Sequence, residues 1–153
     1  MKRKILSFVV NGGRFLALYS EPHKEHGEGG WFVVTGGVDE NESYENAVTR
    51  EILEETGLNT TEIIFLNWGS TYEWDYNKIK TTCEEHNFLS FVKSGKITLN
   101  EEHSKYEWLD IDEFIERIKW DDDKKLLKVI LEKALNKEKY FDEITFKDYR
   151  RKK

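Results

Sequence analysis

Apolar residues open the chain in two tight runs, Ile5–Val10 and Phe15–Tyr19, on either side of Asn11-Gly12-Gly13. Glycine gives a short turn the positive φ it needs, so the pattern predicts a β-hairpin. A polar loop at 21–30 follows, and Trp31–Val34 then reads as a short strand running into Thr35-Gly36-Gly37. From Ser43 to Thr56 the spacing turns helical, with Ser43 placed to cap the start and Gly57 placed to end the helix in the left-handed conformation. Residues 61–74 and 81–92 read as strands flanking a turn near Asp75–Asn77. Residues 106–118 predict a short strand and then a helix starting near Asp110 or Asp112. Residues 121–136 carry acids first and lysines later, an amphipathic helix aligned with its macrodipole. Strands that occur both as hairpins and in alternation with helices predict a mixed sheet covered by helices, the α/β (α+β) class.

A length of 153 residues suits one domain, taken as 1–153, with residues 137–153 as a C-terminal extension of alternating charge and aromatics. Aromatic residues make up 14% of the chain, too many for a weakly hydrophobic, disordered sequence. The single cysteine, Cys83, allows no internal disulfide, which fits a reducing cytoplasm, and its place in a strand predicts a buried small side chain rather than a nucleophile. The basic N-terminus and its short apolar run lack a signal-peptide cleavage site, and nothing approaches the roughly 20 apolar residues of a membrane span. A net charge of −6 weighs against broad affinity for nucleic-acid backbones. It leaves room for a small phosphorylated substrate, because bound cations reverse a local field. The basic residues 150–153 read as a solvated tail, and monomer and homodimer are both open.

The chemistry gathers in "REILEETG", residues 50–57. Projected on a helix, Ala47, Glu51, Glu54 and Glu55 share one sector with Arg50 on its edge, beside a stripe of Val48 and Ile52 that can pack on a sheet. Like charges three or four residues apart on a helix repel by about 0.2–0.5 kcal/mol per pair. A solvated acidic helix tolerates that repulsion, and a cation-binding face exploits it. Spacing alone leaves both readings open. The punctuation favours the second: a Gly-Gly turn after an apolar strand, an acid, a helix start, then Arg beside the acids.

With these positions in register the segment resembles the signature of the Nudix (MutT-like) hydrolases. Gly36 is followed by five residues and Glu42, then by seven more and Arg50-Glu51-Ile52-Leu53-Glu54-Glu55-Thr56-Gly57-Leu58. The resemblance implies an α/β/α sandwich with the signature as loop, helix and loop, and hydrolysis of a nucleoside diphosphate linked to another group. It implies Mg²⁺, with Mn²⁺ as a substitute, on Glu51, Glu54 and Glu55, and the Gly36 carbonyl as an extra ligand. Arg50 would orient a glutamate by ion pairing, and Glu42 would support the loop and helix start. Hard cations of this kind prefer carboxylate oxygens, which agrees. The chain departs from the common W-x-x-P-G-G approach, reading Trp31-Phe32-Val33-Val34-Thr35-Gly36, with Val34 for Pro and Thr35 for Gly, and Asn41 stands where a glycine is usual.

A second segment, "LNEEHSKYEWLDIDEF" at 99–114, is similar in Glu102-His103-x-x-Tyr106-x-Trp108 to dinucleoside tetraphosphate hydrolases and to dihydroneopterin triphosphate or dATP pyrophosphohydrolases of the same superfamily. The resemblance makes Glu102 the fourth carboxylate, as metal ligand or catalytic base, with Glu101 as the fallback. His103 reads either as a phosphate contact or as a loop histidine, and Trp108 as core. Trp68, Tyr72, Trp74 and Tyr76 share a strand face where Tyr72 and Trp74 could stack a nucleobase, or simply pack across strands. In Glu84-Glu85-His86, alternation sets Glu85 opposite its neighbours, so one side of this cluster at most faces a site. His23 and His26 fit a lid, a phosphate contact or a plain surface loop. The leading expectation is a Mg²⁺-dependent pyrophosphohydrolase of a nucleotide. Its rivals are a non-catalytic nucleotide-binding or sensor module of the same fold and an RNA 5′-end pyrophosphohydrolase.

Overall fold

Strand β1 (Lys2–Asn11) is apolar on both faces from Ile5 to Val10, except at Ser7, which suits a strand covered on both sides. In the computed structural model, which describes residues 2–22, 28–76 and 78–137 and leaves the side chains of Trp74 and Tyr76 undescribed, β1 lies mid-sheet. The expected hairpin to β2 (Arg14–Ser20) forms at its turn, with Val10 opposite Phe15 and Asn11 opposite Arg14. The two strands then diverge. β2 pairs with β3 (Gly30–Phe32), while the first half of β1 pairs antiparallel with β4 (Val34–Gly37). The run expected as one strand from Trp31 is thus two, because at Val33 the backbone exchanges β2 for β1 as its hydrogen-bonding partner.

Helix α1 (Tyr44–Thr56) has the caps the sequence predicts: Ser43 accepts from the Asn46 N–H, and Gly57 turns left-handed at φ 76°. Beyond it, β5 (Thr60–Tyr76) and β6 (Ile79–Val92) form a long antiparallel hairpin, with a register shift between Phe65 and Gly69. β6 also runs parallel to β1 over nine paired positions, from Lys2↔Cys83 to Val10↔Phe91. β7 (Lys105–Leu109) pairs with β2, and Asp110 then caps the short helix α2 (Ile111–Arg117). Asp123 caps α3 (Lys124–Leu135).

Strand alternation divides the core in two. Ile5, Val9, Leu16, Leu18 and Phe88 meet Ala47, Val48 and Ile52 of α1 on one face. Phe8, Val10, Phe15 and Leu89 meet Phe114 of α2 and Leu127, Ile130 and Leu131 of α3 on the other. The result is the expected α/β/α sandwich with a mixed sheet. Cys83 is buried, as its strand position predicts, and Trp108 is half-buried against the α1-side core. No described helix is long and apolar enough to cross a membrane. His23, His26 and residues 138–153 lie outside the described residues.

Thr56 locks the end of α1. Its buried hydroxyl donates to the Ile52 carbonyl at 2.6 Å and accepts from the Leu58 N–H at 3.1 Å, while its own carbonyl accepts from the Thr98 N–H at 2.9 Å. Thr56→Val keeps the shape and strands the buried Leu58 donor, so it should cost roughly 1–3 kcal/mol and lower Tm by several degrees. Thermal unfolding followed by circular dichroism checks this, and an unchanged Tm would show that the hydroxyl does not lock the helix.

Candidate metal and catalytic centre

The acidic sector of α1 is not one solvated face. Ala47, in the middle of it, is fully buried in the α1-side core, and the three glutamates differ sharply. Glu54 is 53% exposed, Glu51 is half-buried, and the Glu55 side chain is 1% exposed. The helix lies with this sector against β4 and the 93–104 segment, so its carboxylates descend from solvent into the protein.

Arg50 organises the outer part. Its guanidinium grips Glu42 with two bonds of 2.9 and 3.0 Å, reaches Glu51 at 2.9 Å and Glu54 at 3.1 Å, and donates to the Gly37 carbonyl at 2.8 Å. Glu42 also accepts from the Asp39 N–H, which closes the loop before the helix. With Arg50 first and this N–H second, the Glu42 carboxyl is held down to about 2. Asn41, where a glycine is usual, adopts φ 69°, so the left-handed turn survives the change. Arg3 braces the same loop from β1 by donating to the Asp39 and Glu42 carbonyls. Nothing in the sequence singled Arg3 out among the basic residues at the N-terminus.

Gly36 is required by proximity. A Cβ there would stand 2.0 Å from Cδ of Glu51, so the carboxylate of Glu51 rests directly on the glycine backbone. Burial is the main cause that raises the Glu51 carboxyl above the usual range. Glu55 lies deeper, and neither of its oxygens has a hydrogen-bond donor among the described residues. Burial first, then the charges of Glu102 and Glu51, push its carboxyl up to about 10.

The residues before β7 complete the group. The Glu102 carbonyl accepts from the Ser20 hydroxyl, its N–H donates to Asn100, and the Ser104 N–H bonds to Tyr19, so the turn is fastened to the end of β2. Ligand atoms of Glu55, Glu102 and His103 then lie within 4.8 Å of one another. His103 Nδ1 is 3.7 Å from Glu55, too far for a hydrogen bond, and burial lowers its pKa, favouring the neutral ring. Glu55 is buried, His103 partly buried and Glu102 exposed, and two carboxylates and an imidazole this close together suit a divalent cation. The sequence placed Glu102 here. His103 stands beside Glu55, a position that its two sequence readings did not include.

One cleft borders the centre, and a second adjoins the first. The first, of about 510 Å³, is lined by Thr35, Glu101, Glu102 and His103. The other, about 590 Å³, is lined by Leu6, Trp68, Tyr72, Glu85, Asn87 and Trp120 among others. They adjoin, because Leu6 and Thr35 are directly paired across β1 and β4. Lys119 lines the larger cleft and pairs at 3.0 Å with Glu28 of the smaller. Tyr72 therefore lines the larger cleft, whose lining includes none of Glu51, Glu54, Glu55 and Glu102, while the Trp74 side chain is outside what is described. Glu84 faces the other way, bonded to His86 at 2.8 Å.

The family model described as NUDIX domain matches residues 2–129. Among solved structures, a Nudix hydrolase from Listeria monocytogenes is similar at TM-score 0.67 and 22% identity, over 90% of this chain and 95% of that one. The E. coli dihydroneopterin triphosphate pyrophosphohydrolase is similar at 0.64 and 23%, over 88% and 95%. An Ap4A hydrolase from C. elegans is similar at 0.58 and 16%, over 89% and 96%. At these identities the likeness to the structures is one of fold.

Two outcomes are expected of the centre. Gly36→Ala displaces the flexible end of Glu51 rather than backbone, so Tm should hold within a few degrees while Mn²⁺ affinity falls about tenfold or more. Calorimetric titration with Mn²⁺ reads this, and unaltered affinity would remove Gly36 from the site. For Glu55, the folded carboxyl lies above the unfolded value of 4.5, so between 4.5 and about 10 the metal-free fold holds a proton that the unfolded chain has lost. Its contribution to stability therefore declines as pH rises through that window. In EDTA, Glu55→Gln should flatten the fall of Tm from pH 6 to 9, and Mn²⁺ should raise the Tm of the wild type but not of the variant. An equal Mn²⁺ shift in both proteins would contradict the assignment.

Proposed function

We propose, from the premise that this chain belongs to the Nudix family of hydrolases acting on pyrophosphate bonds, that it is a Mg²⁺-dependent pyrophosphohydrolase of a nucleoside triphosphate or dinucleoside polyphosphate. The observation that carries this reading is Glu55, a buried carboxyl without a donor among the described residues, gathered with Glu102 and His103 beside an open cleft. Two similar structures are described as a dihydroneopterin triphosphate pyrophosphohydrolase and an Ap4A hydrolase, which agrees with this substrate range.

Glu51, Glu54, Glu55 and Glu102 would hold the cation, with the Gly36 carbonyl as a further oxygen. A divalent cation bound there supplies charge neutralisation at phosphate oxygens and makes water more acidic. The protein's own residues supply the geometry. Arg50 fixes Glu51 and Glu54 through its fork and ties both to Glu42. Glu102, exposed on its turn, can take a proton from an attacking water, and the neutral ring of His103 can donate a hydrogen bond to a phosphate oxygen. The phosphates occupy the smaller cleft and the base the larger, between Trp68, Tyr72 and Trp120.

The test is hydrolysis of a nucleotide panel with Mg²⁺, Mn²⁺ and EDTA. Glu54→Gln and Glu102→Gln should each lower kcat by about 10²-fold or more in proteins that fold normally. Full activity in Glu54→Gln would sink the assignment. Tight nucleotide binding without phosphate release would make the domain a sensor, and preference for triphosphorylated RNA would move the substrate to RNA ends.

A further inference from the structure

The larger cleft has a floor that phosphate chemistry does not use. Along β6 the side chains of Glu85 and Asn87 point to the α2–α3 side, in line with the core residue Leu89, while Glu84, His86 and Phe88 point to α1. Glu85 is half-buried and accepts no hydrogen bond from a described residue. Its strand neighbour Lys4 contributes charge alone, and burial raises the carboxyl to about 6. It is therefore mostly ionised at neutral pH. Asn87, 5% exposed, likewise has no hydrogen-bond partner among the described residues. Two polar side chains are thus held side by side, about 6–7 Å apart along the strand, under the aromatic walls of Trp68 and Trp120. Polar side chains that face a cleft and are not paired within the protein favour a ligand that pairs them.

The pair has a definite complement. An ionised carboxylate only accepts, so it requires N–H donors, best two on adjacent atoms. The carboxamide beside it can donate to a carbonyl. A 2-amino-4-oxo-pyrimidine edge, present in guanine and in pterin rings, offers two neighbouring N–H groups and then a carbonyl oxygen in that order. Adenine and cytosine place a ring lone pair next to their amino group, and uracil places a carbonyl on each side of its N–H. Each would set a lone pair against Glu85.

We propose that Glu85 and Asn87 select the ring of the substrate, and that this ring carries a 2-amino-4-oxo-pyrimidine edge. The inference rests on the nucleotide reading above, in which the base enters this cleft. Calorimetric titration of the full chain in EDTA with GMP, neopterin, AMP, CMP and UMP tests it apart from catalysis. In the wild type GMP or neopterin should bind at least tenfold tighter than AMP, and the tighter of the two identifies the ring system. Glu85→Gln, nearly isosteric, should bring the ratio to AMP within about threefold, and Asn87→Ala should reduce it as well, with folding checked by Tm. AMP or a pyrimidine binding as tightly as GMP and neopterin in the wild type would overturn the proposal, as would undiminished selectivity in folded Glu85→Gln. Hydrolysis with Mg²⁺, run in parallel, separates the two readings. Equal turnover of GTP and ATP with no binding preference defeats the ring assignment alone. Selective binding with no hydrolysis of any nucleotide defeats the pyrophosphohydrolase alone.

Discussion

Repulsion between carboxylates held close together, one of them out of water, is the constraint around which this domain is arranged. Glu51, Glu54, Glu55 and Glu102 converge from two parts of the chain, and Arg50 brings an opposing charge into the outer part of the group. Its fork cannot reach everything, and Glu55 is left without a donor among the described residues. The fold tolerates that arrangement because its surroundings are firmly tied: Glu42 and the Gly37 carbonyl complete the fork, Thr56 closes the helix, and both faces of the sheet are covered.

Much of this could be read in the chain, for identifiable reasons. Helix α1 carries its own boundaries in Ser43 and Gly57, local signals that need no tertiary context. Glu42, Arg50 and the glutamates stand at fixed spacing within one segment, so their grouping was visible as soon as the helix was. Alternation in β6 separated Glu85 from Glu84 and His86, because strand period does not depend on which neighbours pair. The Asn41 turn held because the left-handed conformation tolerates asparagine.

What was hidden depended on long-range pairing. Val33 looks like the middle of one strand, and only the competing edges of β2 and β1 break the run there. A helical wheel assigned Ala47 and the glutamates to one sector but could not say how deeply each would sit. Depth follows from where β4 and the 93–104 segment cover the helix, and this distinguishes exposed Glu54 from buried Glu55. The company of His103 was invisible for the same reason, since it requires the turn before β7 to fold back onto α1.

That fold-back has a consequence of its own. The backbone bond from Thr98 to Thr56 pins the segment to the end of the helix, and the bond from Ser20 to Glu102 pins the turn to the sheet. Glu55 and Glu102 are thereby held together by the backbone itself, the loop between them already closed. Closing such a loop is an entropic expense of folding. A cation held there, as the proposed function requires, would not meet that expense again, and its affinity would be set by dehydration and ligand charge.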